Sequence, residues 1–214
     1  MTGDKTLSWA FTESYIPEPE GPARARVLAE EFGVSPVTIG VGATLRALAA
    51  ATAAHSVAEI GTGTGTSAAW LLSGMDADGV LTSIDVEPEY QAAAREVLTA
   101  MKVKPAQARL IGGRALDVLP RLAGGAYDLV FVDGDPEETP EYVTHAIRML
   151  RPGGILIVAN ALWHDLVPEP ARRDEDTVRM RELVRSVRND DRLTPVLLGA
   201  GDGLLVAINR PPTR

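Results

Sequence analysis

Cysteine is absent from the 214-residue sequence, which excludes disulfides, thiolate nucleophiles, zinc–thiolate sites and iron–sulfur clusters. No apolar run reaches the length that crosses a bilayer, so no membrane partner is expected. The opening stretch from Met1 to Pro22 carries Asp4, Glu13, Glu18 and Glu20 where a signal peptide has its apolar centre, and a cytoplasmic location is expected. Basic charge is in deficit: 21 Lys and Arg face 29 Asp and Glu, for a net charge of -8. Nucleic acid is therefore not an expected partner, because phosphate backbones are bound by surplus Lys and Arg. The basic clusters at Arg172-Arg173 and Arg179 to Arg188 are interleaved with acids, the pattern of a solvated helix face. A zinc-protease His-Glu-x-x-His, a Walker loop and a Gly-x-Ser-x-Gly elbow are all missing. So are internal repeats and low-complexity stretches.

Hydrophobic residues at 45% and charged residues at 23% describe one ordinary globular core. Residues 1–34, with Trp9, Phe11 and Tyr15, are expected to form an N-terminal helical extension or lid, and residues 35–214 the main domain. Helices are predicted over residues 23–33, ending at Gly33, and over 44–54. A regular alternation follows. Strands are expected at Val57 to Ile60, Val80 to Ile84, Ala108 to Ile111, Tyr127 to Val132 and Ile155 to Val158. Helices between them are expected at 67–73, 88–101, 116–122 and 142–150, the last stopped by Arg151-Pro152-Gly153-Gly154. Asp174 to Arg188 has helical periodicity. Leu193 to Leu198 and Leu204 to Ile208 read as a hairpin about the Gly199–Gly203 turn. Five β–α alternations imply a parallel sheet with helices on both faces, and the hairpin adds an antiparallel C-terminal strand.

The first strand runs into Glu59-Ile60-Gly61-Thr62-Gly63-Thr64-Gly65. Glycines there allow a tight turn and the approach of a ligand that a Cβ would block. The helix beginning near Thr66 and Ser67 aims free N–H groups at the same spot, suited to a carboxylate. Asp85 ends the second strand about 20 residues past the loop, where a carboxylate accepts both ribose hydroxyls of an adenosine. The glycine spacing and Thr66 in place of a third fingerprint Gly or Ala favour S-adenosyl-L-methionine over NAD. Asp85 also reads as a helix cap ahead of Pro88, and the glycines as a plain connection.

Together these pieces resemble the bacterial O-methyltransferases related to catechol and caffeoyl-CoA O-methyltransferases, over roughly residues 35–209. The quotable segments are Val57 to Gly65, Leu81 to Asp85, Tyr127 to Asp135, Leu150 to Gly154, Asn160 to His164 and Gly201 to Leu205. The resemblance implies the class I methyltransferase fold (Rossmann-like, α/β), a mostly parallel seven-stranded sheet with an antiparallel C-terminal hairpin strand. It implies O-methylation of a small hydroxylated, catechol-like acceptor and a homodimer. Donor contacts carry over to Val37, Glu59, Gly61, Thr62, Gly63, Ser67, Asp85, Val86, Arg114, Ala115, Asp133 and Asp135.

In that family a divalent metal (Mg or Mn) holds the acceptor oxygens, and a lysine helps remove a proton. Asp133 and Asn160 match metal-ligand positions here, but the expected carboxylate before Asn160 is Ala159 and the expected lysine is Pro136. Asp133 and His164 are the candidate catalytic residues, His164 because an imidazole titrates near neutrality. A loop hydrogen bond is the plainer role for His164. His55 and His145 read as surface residues, Trp70 and Trp163 as packing. A donor-binding protein without turnover and, more remotely, an NAD-dependent oxidoreductase remain as alternatives.

Overall fold

The computed structural model describes residues 5–211. Residues 1–4 and 212–214, the outer ends of the two expected segments, lie outside the described residues. Three helices lead in: α1 (Lys5–Glu13), α2 (Glu20–Phe32) and α3 (Ile39–Ala51). The alternating body follows as β1 (Ser56–Ile60), α4 (Thr66–Gly74), β2 (Val80–Asp85), α5 (Pro88–Ala100) and β3 (Ala108–Gly112). It continues with α6 (Ala115–Val118), β4 (Tyr127–Val132), α7 (Thr139–Met149), β5 (Leu150–Val158) and α8 (Glu175–Arg188). The hairpin is β6 (Leu193–Leu198) and β7 (Leu204–Asn209).

The sheet has the order β3-β2-β1-β4-β5-β7-β6. Strands β1 to β5 pair in parallel. Strand β7 runs antiparallel between β5 and β6. The near-continuous apolar strands follow from burial on both faces. Val57, Leu129, Phe131 and Ile157 pack with Leu45 and Ala49 of α3 and Leu71 of α4. Their neighbours Ala58, Val130, Val132 and Leu156 pack with Met149 of α7 and Leu183 of α8. Period-two alternation along each strand thus divides one sheet between two cores. Helix α2 lies across α4 and α5, with Ala25 and Ala29 fully buried.

Three sequence expectations need correction. Helix α3 begins at Ile39 rather than Thr44, capped by the Thr38 hydroxyl, which accepts from Val41 N–H at 3.3 Å. Helix α7 begins at Thr139 rather than Tyr142. Strand β5 begins at Leu150, because Arg151 to Gly154 form an irregularity inside the strand: Leu150 pairs with Tyr127, and Ile155 with Leu129. The first helix, α1, buries no residue. Its tie to the body is the Glu13 carboxylate, which accepts from Gly40 N–H at 3.0 Å and Gly201 N–H at 2.8 Å.

Candidate functional site

The C-terminal ends of β1, β2 and β4 lie side by side, and the loops leaving them form a cavity of about 410 Å³. Backbone hydrogen bonds extend the sheet into these loops. Gly61 N–H donates to Ile84 O at 2.9 Å, and Asp133 N–H to Ile60 O at 2.8 Å. Gly61 has φ +92, and a Cβ there would sit 2.1 Å from the Asp133 carbonyl oxygen. No other residue fits that crossing. Gly65, at φ +92, precedes α4 and lies against Ala94 of α5.

Asp85 fixes the loop. Its Oδ2 accepts from Gly63 N–H at 2.8 Å and its Oδ1 from Glu87 N–H at 2.9 Å. The carboxylate therefore braces the glycine loop and the entry to α5 together. Of the sequence-named donor contacts, Val37, Gly61, Thr62, Gly63, Ser67, Asp85, Val86, Arg114, Ala115, Asp133 and Asp135 line the cavity.

Glu59 does not line it. It lies fully buried behind the loop, with Oε2 accepting from the Ser83 hydroxyl at 2.5 Å. Thr62 and Ser83 hydroxyls are themselves 2.6 Å apart. Glu59 Oε1 has no partner. Burial pushes its carboxyl up to about 8; the Ser67 and Ser83 hydroxyls pull it down, and Asp133 and Asp85 add to the rise. Asp133, half-buried, is pushed up to about 6 by burial and drawn back by Asn160, whose Nδ2 donates to its Oδ1 at 3.0 Å.

Among the lining residues that the sequence did not mark as donor contacts are Tyr90, Glu138 and Tyr142. Glu138 ties the two sides of the mouth, accepting from the Arg114 guanidinium and, on Oε2, from the Tyr142 hydroxyl at 2.6 Å. Burial, then Glu138, raises the Tyr142 phenol well above its ordinary range. The i,i+4 spacing of Glu138 and Tyr142 was the available signal. The charged members of the lining are mostly acidic, Asp85, Asp133, Asp135 and Glu138; among the described residues Arg114 is its single basic member.

His164 is placed apart from this cavity. Its side chain is 74% exposed, with Nδ1 3.8 Å from Asp202 Oδ2. Its backbone N–H donates to the same Asp202 oxygen at 2.6 Å. Trp163 is partly buried against the α7–α8 core, and Trp70 is fully buried. His55 is exposed, 3.7 Å from Asp76, and His145 is half-buried on α7.

The residues present do not fit a divalent cation. Hard cations take several oxygen ligands in near-octahedral array. Ala159 puts a methyl group into the apolar cluster with Val37, Phe131 and Leu204. Among the described residues no three His, Cys, Asp or Glu side chains gather closely enough to hold a metal ion.

Comparison with known proteins agrees with this fold. The sequence profile of the O-methyltransferase family matches residues 26–210. A candidate O-methyltransferase of Mycobacterium avium is 46% identical over 199 residues, covering 93% of this chain and 90% of that protein. A solved Corynebacterium glutamicum protein is 30% identical with a TM-score of 0.89, covering 98% of each chain. The Streptomyces achromogenes O-methyltransferase involved in tomaymycin synthesis, solved with S-adenosylmethionine, is 27% identical. Its TM-score is 0.85 over 99% of this chain and 100% of that one.

Proposed function

This chain belongs to the O-methyltransferase family, and from that premise we propose that its acidic cleft binds S-adenosyl-L-methionine for transfer of the methyl group to the oxygen of a small hydroxylated acceptor. Charge is the observation that carries the choice of donor. Asp85, Asp133, Asp135 and Glu138 line the cleft, against Arg114 alone among the described lining residues. That field suits a ligand bearing a sulfonium and an ammonium, and opposes the pyrophosphate of NAD.

In this reading the N–H groups of Thr66 and Ser67 at the start of α4 take the methionine carboxylate. Asp85, held by Gly63 and Glu87, takes the ribose hydroxyls. Val86, Arg114 and Ala115 border the adenine, while Val37 and Asp135 close the sides. Glu59, behind the loop, supports the donor site through the Ser83 hydroxyl rather than by contact. Bound there, the donor supplies an electrophilic methyl carbon on sulfur. Asp133 and Asn160, paired at the ends of β4 and β5, orient the acceptor oxygen; as the methyl leaves sulfur for that oxygen, releasing S-adenosylhomocysteine, Asp133 accepts the hydroxyl proton, and the chain otherwise contributes chiefly position. His164 has no part in this machinery.

Residues 5–34, the described part of the N-terminal extension, carry α1 as its lid element. We also infer a cytoplasmic homodimer, for which the exposed Leu7, Phe11 and Tyr15, spaced four residues apart, supply an apolar contact face. Light scattering that finds a monomer would remove that part. No helix of the described residues is long and apolar enough to cross a membrane.

Calorimetry with S-adenosylhomocysteine and NADH tests the donor, with NADH expected at least about 100-fold weaker. The reverse order overturns the assignment. Radiolabelled methyl transfer to a panel of phenols then tests turnover. Donor binding without transfer to any acceptor would favour the non-catalytic binder that Ala159 and Pro136 also suit.

A further inference from the structure

The acceptor side of the site, as proposed above, is short of ligands in a specific way. A cation held between Asp133 and position 160 needs oxygens converging on one point. Asn160 instead directs its amide nitrogen at Asp133 Oδ1, 3.0 Å away, so the two side chains satisfy each other. Ala159 sits 8% exposed among apolar side chains and offers no oxygen.

The neighbouring acids do not replace it. Asp135 Oδ1 accepts from Glu137 N–H at 2.8 Å, capping the turn into α7. Glu138 is engaged by Arg114 and Tyr142. Asp202 Oδ2 accepts from His164 N–H at 2.6 Å, and its Oδ1 from Asp165 N–H at 3.4 Å. The His164 imidazole stands in solvent beside it. Each of these carboxylates thus already carries at least one structural hydrogen bond, and no three of them converge on one point among the described residues.

We propose that this methyltransferase holds no divalent cation, that Ala159 is the residue that removes it, and that the Asp133–Asn160 pair receives the acceptor hydroxyl directly by hydrogen bonding. The inference rests on the donor and acceptor assignment above. Its consequence concerns substrate class. A chelated cation selects vicinal oxygens, because both coordinate the ion. A hydrogen-bonding pair accepts one hydroxyl, so monohydroxylated acceptors serve as well as vicinal diols.

The experiment is titration of Mn²⁺ into chelator-treated full-length protein preloaded with S-adenosylhomocysteine, with free Mn²⁺ followed by electron paramagnetic resonance. The wild type is expected to show no saturable site tighter than about 1 mM. Ala159→Asp is expected to gain one site at least about tenfold tighter, lost again in Ala159→Asp/Asp133→Asn. A wild-type site that disappears in Asp133→Asn overturns the proposal. A folded Ala159→Asp protein that gains no Mn²⁺ overturns the role given to Ala159. Should that variant fail to fold, the wild-type titration decides alone. Absence of S-adenosylhomocysteine binding is a separate failure: it sinks the donor assignment and is read before any metal is added.

Discussion

Glu59→Gln should make the ligand-free protein more stable at neutral and alkaline pH and nearly unchanged below about pH 4.5. Glu59 is fully buried, its Oε1 lacks a partner, and its carboxyl is pushed from the usual 4.5 to about 8. The folded state therefore holds this proton more tightly than the unfolded chain does. Stability from the group is full below about pH 4.5 and is lost as pH rises, at up to about 1.4 kcal/mol per unit, until about pH 8. The loss amounts to roughly 1 kcal/mol at pH 5, about 3 at pH 7 and about 4 at pH 8. Gln has the shape of the protonated acid, keeps an oxygen for the Ser83 hydroxyl, and never ionises. Thermal unfolding of both proteins from pH 5 to pH 8.5 at fixed ionic strength is the assay. At pH 8 the variant should melt roughly 10 °C higher, since about 1 kcal/mol moves a chain of this size by 2–4 °C. Both proteins should still lose stability from about pH 4 to 6, where Asp133, raised from 3.8 to about 6, gives up its proton. Parallel melting profiles across pH 6–8 would refute the assignment of a proton to buried Glu59.

Two further outcomes follow from named hydrogen bonds. Asp85→Ala removes the acceptor for Gly63 and Glu87 N–H along with the ribose contact, so S-adenosylhomocysteine affinity should fall roughly 10- to 100-fold by calorimetry. An unchanged affinity would leave Asp85 a helix cap only. Asp202→Ala frees the N–H groups of His164 and Asp165, and should cost roughly 1–3 kcal/mol with faster amide exchange at residues 163–165. Donor affinity should stay within about twofold; a large loss there would mean that the turn couples to the donor half.

What the sequence made legible was the part governed by local pattern. Tyr127 to Val132 reads as a strand because six apolar-dominated residues fill both faces of the sheet, and Gly61 reads as a crossing point because only glycine tolerates its surroundings. What stayed hidden depends on partners far along the chain. The run Ile39-Gly40-Val41-Gly42 looks unhelical by propensity. Yet a Cβ at Gly42 would stand 2.3 Å from the Trp70 ring, and one at Gly40 would stand 2.6 Å from the Glu13 carboxylate. Those glycines let α3 approach α4 and α1, a reason no local window contains. Likewise Arg151 to Gly154 carries stop signals, and only pairing with Tyr127 and Leu129 keeps it within β5. Glu138 and Tyr142 look like helix packing until α7 is set beside the loop bearing Arg114.

The two halves of the cleft are held by different means, and the backbone records it. The donor half extends the sheet: Gly61, Asp133 and Gly113 all donate backbone hydrogen bonds to strand ends, so its shape is inherited from the core. The acceptor half departs from it at Asn160, φ 55, and then places Trp163, His164 and Asp165 at φ 49, 57 and 60. Three consecutive left-handed non-glycine residues cost about 1–2 kcal/mol each. Side chains from elsewhere must therefore over-determine the turn. Asp202 accepts from His164 and Asp165, and Trp163 packs into the α7–α8 core. Arg181 donates to the carbonyls of Val167 and Glu169 at 3.0 and 2.9 Å. Ala161 and Leu162 N–H donate to the carbonyls of Gly203 and Asp202, both at 2.9 Å, so backbone bonds and two charged side chains together hold the strain, and the turn that keeps Asn160 beside Asp133 also carries the imidazole away from the cleft.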